Sequence, residues 1–106
     1  MATDIQIHPA AAIFPMLGKR ELRELADDIK ANGQLEPITL LDGAILDGRN
    51  RWEACKLAGV KPVTLDWQSD GSPWRFAWSK NVKRRHLVMG RAASLHREMI
   101  KGDTAW

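Results

Sequence analysis

Ile45-Leu46-Asp47-Gly48-Arg49-Asn50-Arg51-Trp52-Glu53-Ala54 is the stretch on which the fold turns. Ala44 to Leu46 reads as a short apolar strand, Asp47-Gly48 breaks it, and a helix follows from about Arg49 to Ala58, closed by Gly59. A helix that starts directly after a strand and a glycine presents unpaired backbone N–H groups, and these attract anions. Arg49 and Arg51 beside them are suited to clamp a phosphate with paired donors. The same pattern also fits a glycine that only turns the chain between solvent-exposed arginines. Neither a Walker-type Gly-Lys-Ser/Thr sequence nor a dinucleotide-binding glycine pattern is present.

Upstream, Pro37 to Leu41 is a second short strand, and Asp42-Gly43 joins the two as a hairpin, since both turn residues tolerate positive φ. Before it, Leu22, Leu25, Ala26 and Ile29 share one face of a helix over about Lys19 to Asn32, with Glu21, Glu24, Asp27 and Asp28 toward the other side; Gly33 ends it. Asp4 to His8 alternates and reads as a strand. Downstream, Pro62 to Trp67 is a further strand. Ser72-Pro73 caps a helix whose Trp74, Ala77, Trp78 and Val82 line one face, a spacing that assigns the tryptophans to burial rather than to base stacking. A last helix, from about Val88 to Lys101 and ending at Gly102, carries Met89, Ala92, Ala93, His96 and Ile100 on one side. The fold class is therefore α/β (α+β): a small mixed sheet with a hairpin, packed by helices. The organisation expected is one domain over 1–87 and a C-terminal helix over 88–106, the start of a following helical DNA-binding domain. The apolar face of that helix leads us to expect a chain that continues past Trp106, or a homodimer through the C-terminal helices.

At 106 residues with 44% hydrophobic composition, the chain holds one modest core and is not disordered. No apolar run is long enough to cross a bilayer, so no membrane partner is expected. The N-terminus shows no basic stretch leading into an apolar run, and the single cysteine, Cys55, fits a reducing cytoplasm. The net charge of +3 is unevenly placed: eight basic and eleven acidic residues precede Arg75, a balance of −3, whereas eight basic and two acidic residues follow from Arg75 on, a balance of +6. Within that basic third, Ser79 to Leu87 holds Lys80, Lys83, Arg84, Arg85 and His86, a run suited to phosphate backbones, so DNA is the expected partner through Lys83, Arg84, Arg85 and His86. No nucleophile–base pattern identifies a catalytic group.

Three segments in order resemble one family. Gly33-Gln34-Leu35-Glu36-Pro37-Ile38 resembles the strand-opening motif of ParB proteins; Gly48 to Ala54, followed by Leu57-Ala58-Gly59, resembles their glycine-glutamate-arginine-arginine box; and Lys80 to Leu87 resembles their glutamate-asparagine box. The match runs from about Ile5 to Leu95, and the chain is identified as similar to the ParB/sulfiredoxin superfamily on its DNA-partition side. The resemblance implies a nucleotide pocket that takes CTP with Mg2+, in a domain that closes two copies into a clamp. It implies phosphate contacts at Gly48, Arg51 and Arg84, a metal contact at Asn81, and a base end shaped by Gln34, Glu36 and Pro37. The family's carboxylates are Arg49 and Lys80 here, which argues against CTP hydrolysis. Arg49 also stands where the sulfiredoxin branch needs a cysteine. The leading expectation is a regulatory or plasmid-partition-type module, cytoplasmic and associated with a nucleoid, plasmid or other mobile element, that binds a nucleotide or other phosphate ligand and DNA. The alternatives are a ParB-like nuclease or nucleotide phosphohydrolase with weak activity, and an interaction domain with a degenerate pocket.

Overall fold

Asp42 and Gly43, at φ 51° and 82°, make the tight turn that the sequence requires between β1 (Ile38–Leu41) and β2 (Ala44–Asp47). Leu41 pairs with Ala44 and Leu40 with Ile45; a bulge then shifts the register so that Thr39 faces Asp47. β3 (Thr64–Asp66) lies parallel to β1 on its other side, giving the order β2-β1-β3. The computed structural model describes residues 5–84 and 89–105, with only the backbone at 83, 84 and 89–94.

The helices are α1 (Pro9–Ala12), α2 (Lys19–Asn32), α3 (Arg49–Ala58), α4 (Pro73–Arg84) and α5 (Met89–Ala105). Two apolar clusters hold them. Ala26 and Ile29 of α2 meet Ala54 and Cys55 of α3, flanked by Leu22, Leu25, Ala58 and Val60. Leu46 of β2 meets Ala10 of α1 and Ala77 of α4, with Leu41, Trp67, Trp74 and Phe76 around them. Ile38, Ile45 and Leu46 are fully buried, each contributing roughly 1.5–3 kcal/mol by removal from water.

Three expectations are corrected. The first strand shrinks, among the described residues, to a single bridge between Ile7 and Ile45, fixed by His8 N–H donating to the Ile45 carbonyl at 2.9 Å. It stops there because His8 caps α1, its Nδ1 accepting from Ala10 N–H at 3.0 Å, and Pro9 begins the helix. The last helix does not end at Gly102 but runs to Ala105, because the Trp74 ring packs where a Cβ at Gly102 would stand. Among its described side chains the buried one is Met99 rather than Ile100, which is 40% exposed. α5 docks on α4 through Ser72, whose hydroxyl donates to Asp103 Oδ1, and Arg75, whose Nε donates to Asp103 Oδ2 at 3.0 Å. His96 sets its ring edge against Trp78 at 5.1 Å between centroids. Ser72 also caps α4, accepting from Arg75 N–H at 3.3 Å.

Candidate functional site

Gly48 is the N-cap of α3 and sits at φ 107°, ψ 24°, in left-handed territory that side chains avoid. A Cβ there would lie 3.0 Å from Ile38 Cγ1 and 3.2 Å from Ile38 Cα, so the strand-to-helix turn also requires glycine for its close approach to β1. No side chain caps α3 at this end, and the first-turn N–H groups remain as donors, reinforced by the positive end of the helix dipole.

These residues open onto a cavity of about 350 Å³. One wall is the segment between α1 and α2, Phe14 to Leu17; another is the C-terminal half of α2 with Gly33 to Glu36; Asn81 of α4 closes it. The site is tied to its walls by α3 itself. Asn50 Oδ1 accepts from Leu17 N–H at 3.0 Å, and Arg49 Nη1 donates to the Phe14 carbonyl at 3.4 Å. Arg51 Nη2 donates to Asp47 Oδ2 at 3.2 Å and to the Pro37 carbonyl at 3.3 Å. Both partners of that ion pair are sequestered, with Arg51 15% and Asp47 3% exposed, and Arg51 Nε is buried without an acceptor among the described residues. Arg49 and Arg51 share the lining with Asp28, Glu36 and Asp47, so the cavity mixes both signs of charge rather than forming a plain cationic trap.

Of the residues expected at the site, Gln34, Gly48, Arg49, Arg51 and Asn81 line this one cavity. Pro37 lines instead a neighbouring groove, which it shares with Thr39, Trp67, Phe76 and Lys80. Lys80 Nζ stands 5.8 Å from the Phe76 ring centroid, a cation–π distance. Gln34 has a framework role: Nε2 donates to the Glu36 and Val63 carbonyls, each at 2.8 Å, while Oε1 accepts from Val63 N–H at 2.8 Å and from Cys55 Sγ at 3.4 Å. Burial pushes the Cys55 thiol up, against the nearby Arg51 charge. Asn81 Nδ2 donates to the Ala77 carbonyl at 2.8 Å, which fixes the amide and leaves its oxygen as the acceptor. The side chains of Lys83 and Arg84, and Arg85 and His86 entirely, lie outside the described residues.

Sequence reasoning missed Phe14, Met16 and Leu17 as cavity wall and Asp47 as the partner of Arg51. The Ala10–Phe14 apolar run was the signal for the first. For the second it was the i, i+4 spacing across a helix start. Among the described residues no group of three or more His, Cys, Asp or Glu side chains is placed to hold a metal ion. No described helix is long and apolar enough to cross a membrane.

No protein-family model matches the chain. It is 36% identical over 72 residues to the probable chromosome-partitioning protein ParB of Rickettsia felis, covering 65% of this chain and 25% of that one. Over 88 residues it is 32% identical to the probable chromosome-partitioning protein ParB of Coxiella burnetii, covering 76% and 30%. The chain thus spans between a quarter and a third of the length of these relatives. Among solved structures it is similar to the C-terminally truncated chromosome-partitioning protein ParB from Caulobacter crescentus complexed with CTP-gamma-S, with TM-score 0.62, 27% identity, and coverage of 77% of this chain and 50% of that chain.

Proposed function

Because this chain is a ParB-like domain, we propose that it serves as a partition-type regulatory module that takes a nucleoside triphosphate, CTP with Mg2+, in the cavity at the start of α3 and associates with DNA through its basic C-terminal third. The observation that carries this reading is the convergence of three separate motifs on one cavity: Gln34 from the first, Gly48 to Arg51 from the second and Asn81 from the third. Its volume of about 350 Å³ lies within the ~300–1,000 Å³ typical of small-molecule sites. The CTP analogue bound to the Caulobacter protein supports the choice of nucleotide.

The first-turn N–H groups of α3, with Arg49 and Arg51, hold the phosphates. The base lies toward Gln34 and Glu36. Mg2+ needs only one or two protein oxygens beside phosphate oxygens, so the want of a three-ligand cluster among the described residues is compatible with it, and the fixed Asn81 oxygen is the donor on the α4 side. When bound, the ion offsets phosphate charge. The chain's own residues orient the triphosphate and do not activate water, since Arg49 and Lys80 occupy the two carboxylate positions of the related motifs.

Titration calorimetry of the chain with CTP, ATP, GTP and UTP, each with Mg2+, tests the reading. CTP should bind, and Arg51→Ala should weaken it about tenfold, near 1.4 kcal/mol. Absence of binding by all four at millimolar concentration would refute it. The internal pairing of Arg51 with Asp47 favours a second reading, an interaction domain whose cavity is degenerate, and that same null result would support it.

A further inference from the structure

We propose that Asp47 is a resident counter-anion that competes with ligand phosphate for Arg51, masking the arginine's charge until a ligand displaces it. The inference rests on the phosphate reading of the cavity and adds a residue that sets its affinity. Four observations carry it. Asp47 and Arg51 both line the cavity. They contact each other at 3.2 Å with 3% and 15% exposure, so salt does not screen the pair as it would at the surface. The contact uses only Nη2 and Oδ2, where a fork-to-fork pair would use two parallel bonds, so the guanidinium keeps donating capacity for a second acceptor. Arg51 Nε is buried without an acceptor among the described residues, so the present partners do not saturate the guanidinium.

A carboxylate in contact with the guanidinium cancels most of the positive field that a phosphate would meet there. The Pro37 carbonyl keeps its hold on Arg51 Nη2 whichever anion is present, so the guanidinium stays beside Gly48 while its charged partner changes. Removing the charge of Asp47 without its shape should therefore strengthen phosphate binding, and should do so only while Arg51 is there to be unmasked.

The test is calorimetric titration of the intact chain with sodium tripolyphosphate in EDTA, for the native protein, Asp47→Asn, Arg51→Gln and the double variant, each with its melting temperature. Asp47→Asn should bind about tenfold more tightly than the native chain. With Arg51 already replaced, the same substitution should change affinity by less than about twofold, the signature of coupled partners. A residue that only shaped the fold would weaken binding in both backgrounds. Should Asp47→Asn fail to fold, Asp47→Ser keeps an acceptor for Arg51 without the charge and carries the same expectation. Native binding that neither Asp47 variant strengthens, or an equal gain with and without Arg51, overturns this inference alone. Absence of binding by the native chain and by both Asp47 variants overturns the phosphate reading and this inference together.

Discussion

Replacing Gly48 by alanine sets two costs on one atom. The backbone stays at φ 107°, where a Cβ is strained by about 1–3 kcal/mol. The new methyl also meets Ile38 at 3.0 Å to Cγ1 and 3.2 Å to Cα. The second contact is with backbone, which cannot swing aside, and overpacking of this kind costs about 1–3 kcal/mol. Against these, alanine restricts the unfolded chain and returns about 0.4–1 kcal/mol. A net loss of roughly 1–6 kcal/mol follows, a large part of the stability expected for a domain of this size. At about 4–8 °C per kcal/mol near 100 residues, the melting temperature should fall by more than about 4 °C. Gly43→Ala is the control: its φ is 82°, but nothing lies within 4 Å of the added Cβ, so it carries the backbone strain alone. Urea unfolding followed by the fluorescence of the five tryptophans measures both variants. If Gly48→Ala costs no more than Gly43→Ala, the close approach of Gly48 to β1 does not constrain the fold and the reasoning fails.

Acid should loosen α5 from α4. Hydrogen bonding from Ser72, with the Arg75 guanidinium beside it, holds the Asp103 carboxyl below its ordinary range against burial. The contact therefore stabilises fully above the ordinary carboxylate value and is lost as pH falls through the lowered one; tryptophan fluorescence should report that loss, and Asp103→Asn should abolish the step. With Arg49 and Lys80 at the motif's carboxylate positions, phosphate release from CTP should match the buffer blank with or without DNA, and release that Asn81→Ala removes would contradict this. DNA binding should be weak and poorly sequence-specific, with a logarithmic salt slope of about 0.9 per neutralised phosphate, and replacing Lys83, Arg84 and Arg85 with alanine should flatten it. Loss of a dimer in sedimentation, with no DNA binding by the native chain at low salt, would assign that run to self-association.

Features legible in the sequence were those that a few adjacent residues impose on themselves. Asp42-Gly43 and Gly59 demand backbone conformations that few other residues supply, and β1, β2 and α3 followed to within a residue. The Ser72-Pro73 cap was equally local. Features set by distant partners were hidden. Gly102 looks like a helix stop until Trp74, 28 positions earlier, is seen to lie against it. Nothing adjacent to Asn50 signals that it anchors Leu17 N–H, 33 positions earlier. Asp47 marks only the end of a strand in the sequence, but the bulge sets it opposite Thr39 and a charged partner lies one turn ahead in α3. The α1 helix is four residues long, too short for any periodicity to reveal.

The Gln34 side chain links three parts of the chain that are far apart in sequence: the segment leading into β1, the backbone just before β3, and Cys55 in α3. Both amide protons and both carbonyl lone pairs are engaged, so no isosteric replacement serves equally. Glutamate could not donate to the two carbonyls, and methionine would leave Val63 N–H without its acceptor. The edge strand pairs with β1 through its own backbone, and this amide adds a tie from its start to α3. Hydrogen exchange at Val63 would then report on the α2–α3 pair rather than on the strand to which it is adjacent: a backbone proton at an exposed residue, protected for as long as a helical interface on the other side of the amide stays closed.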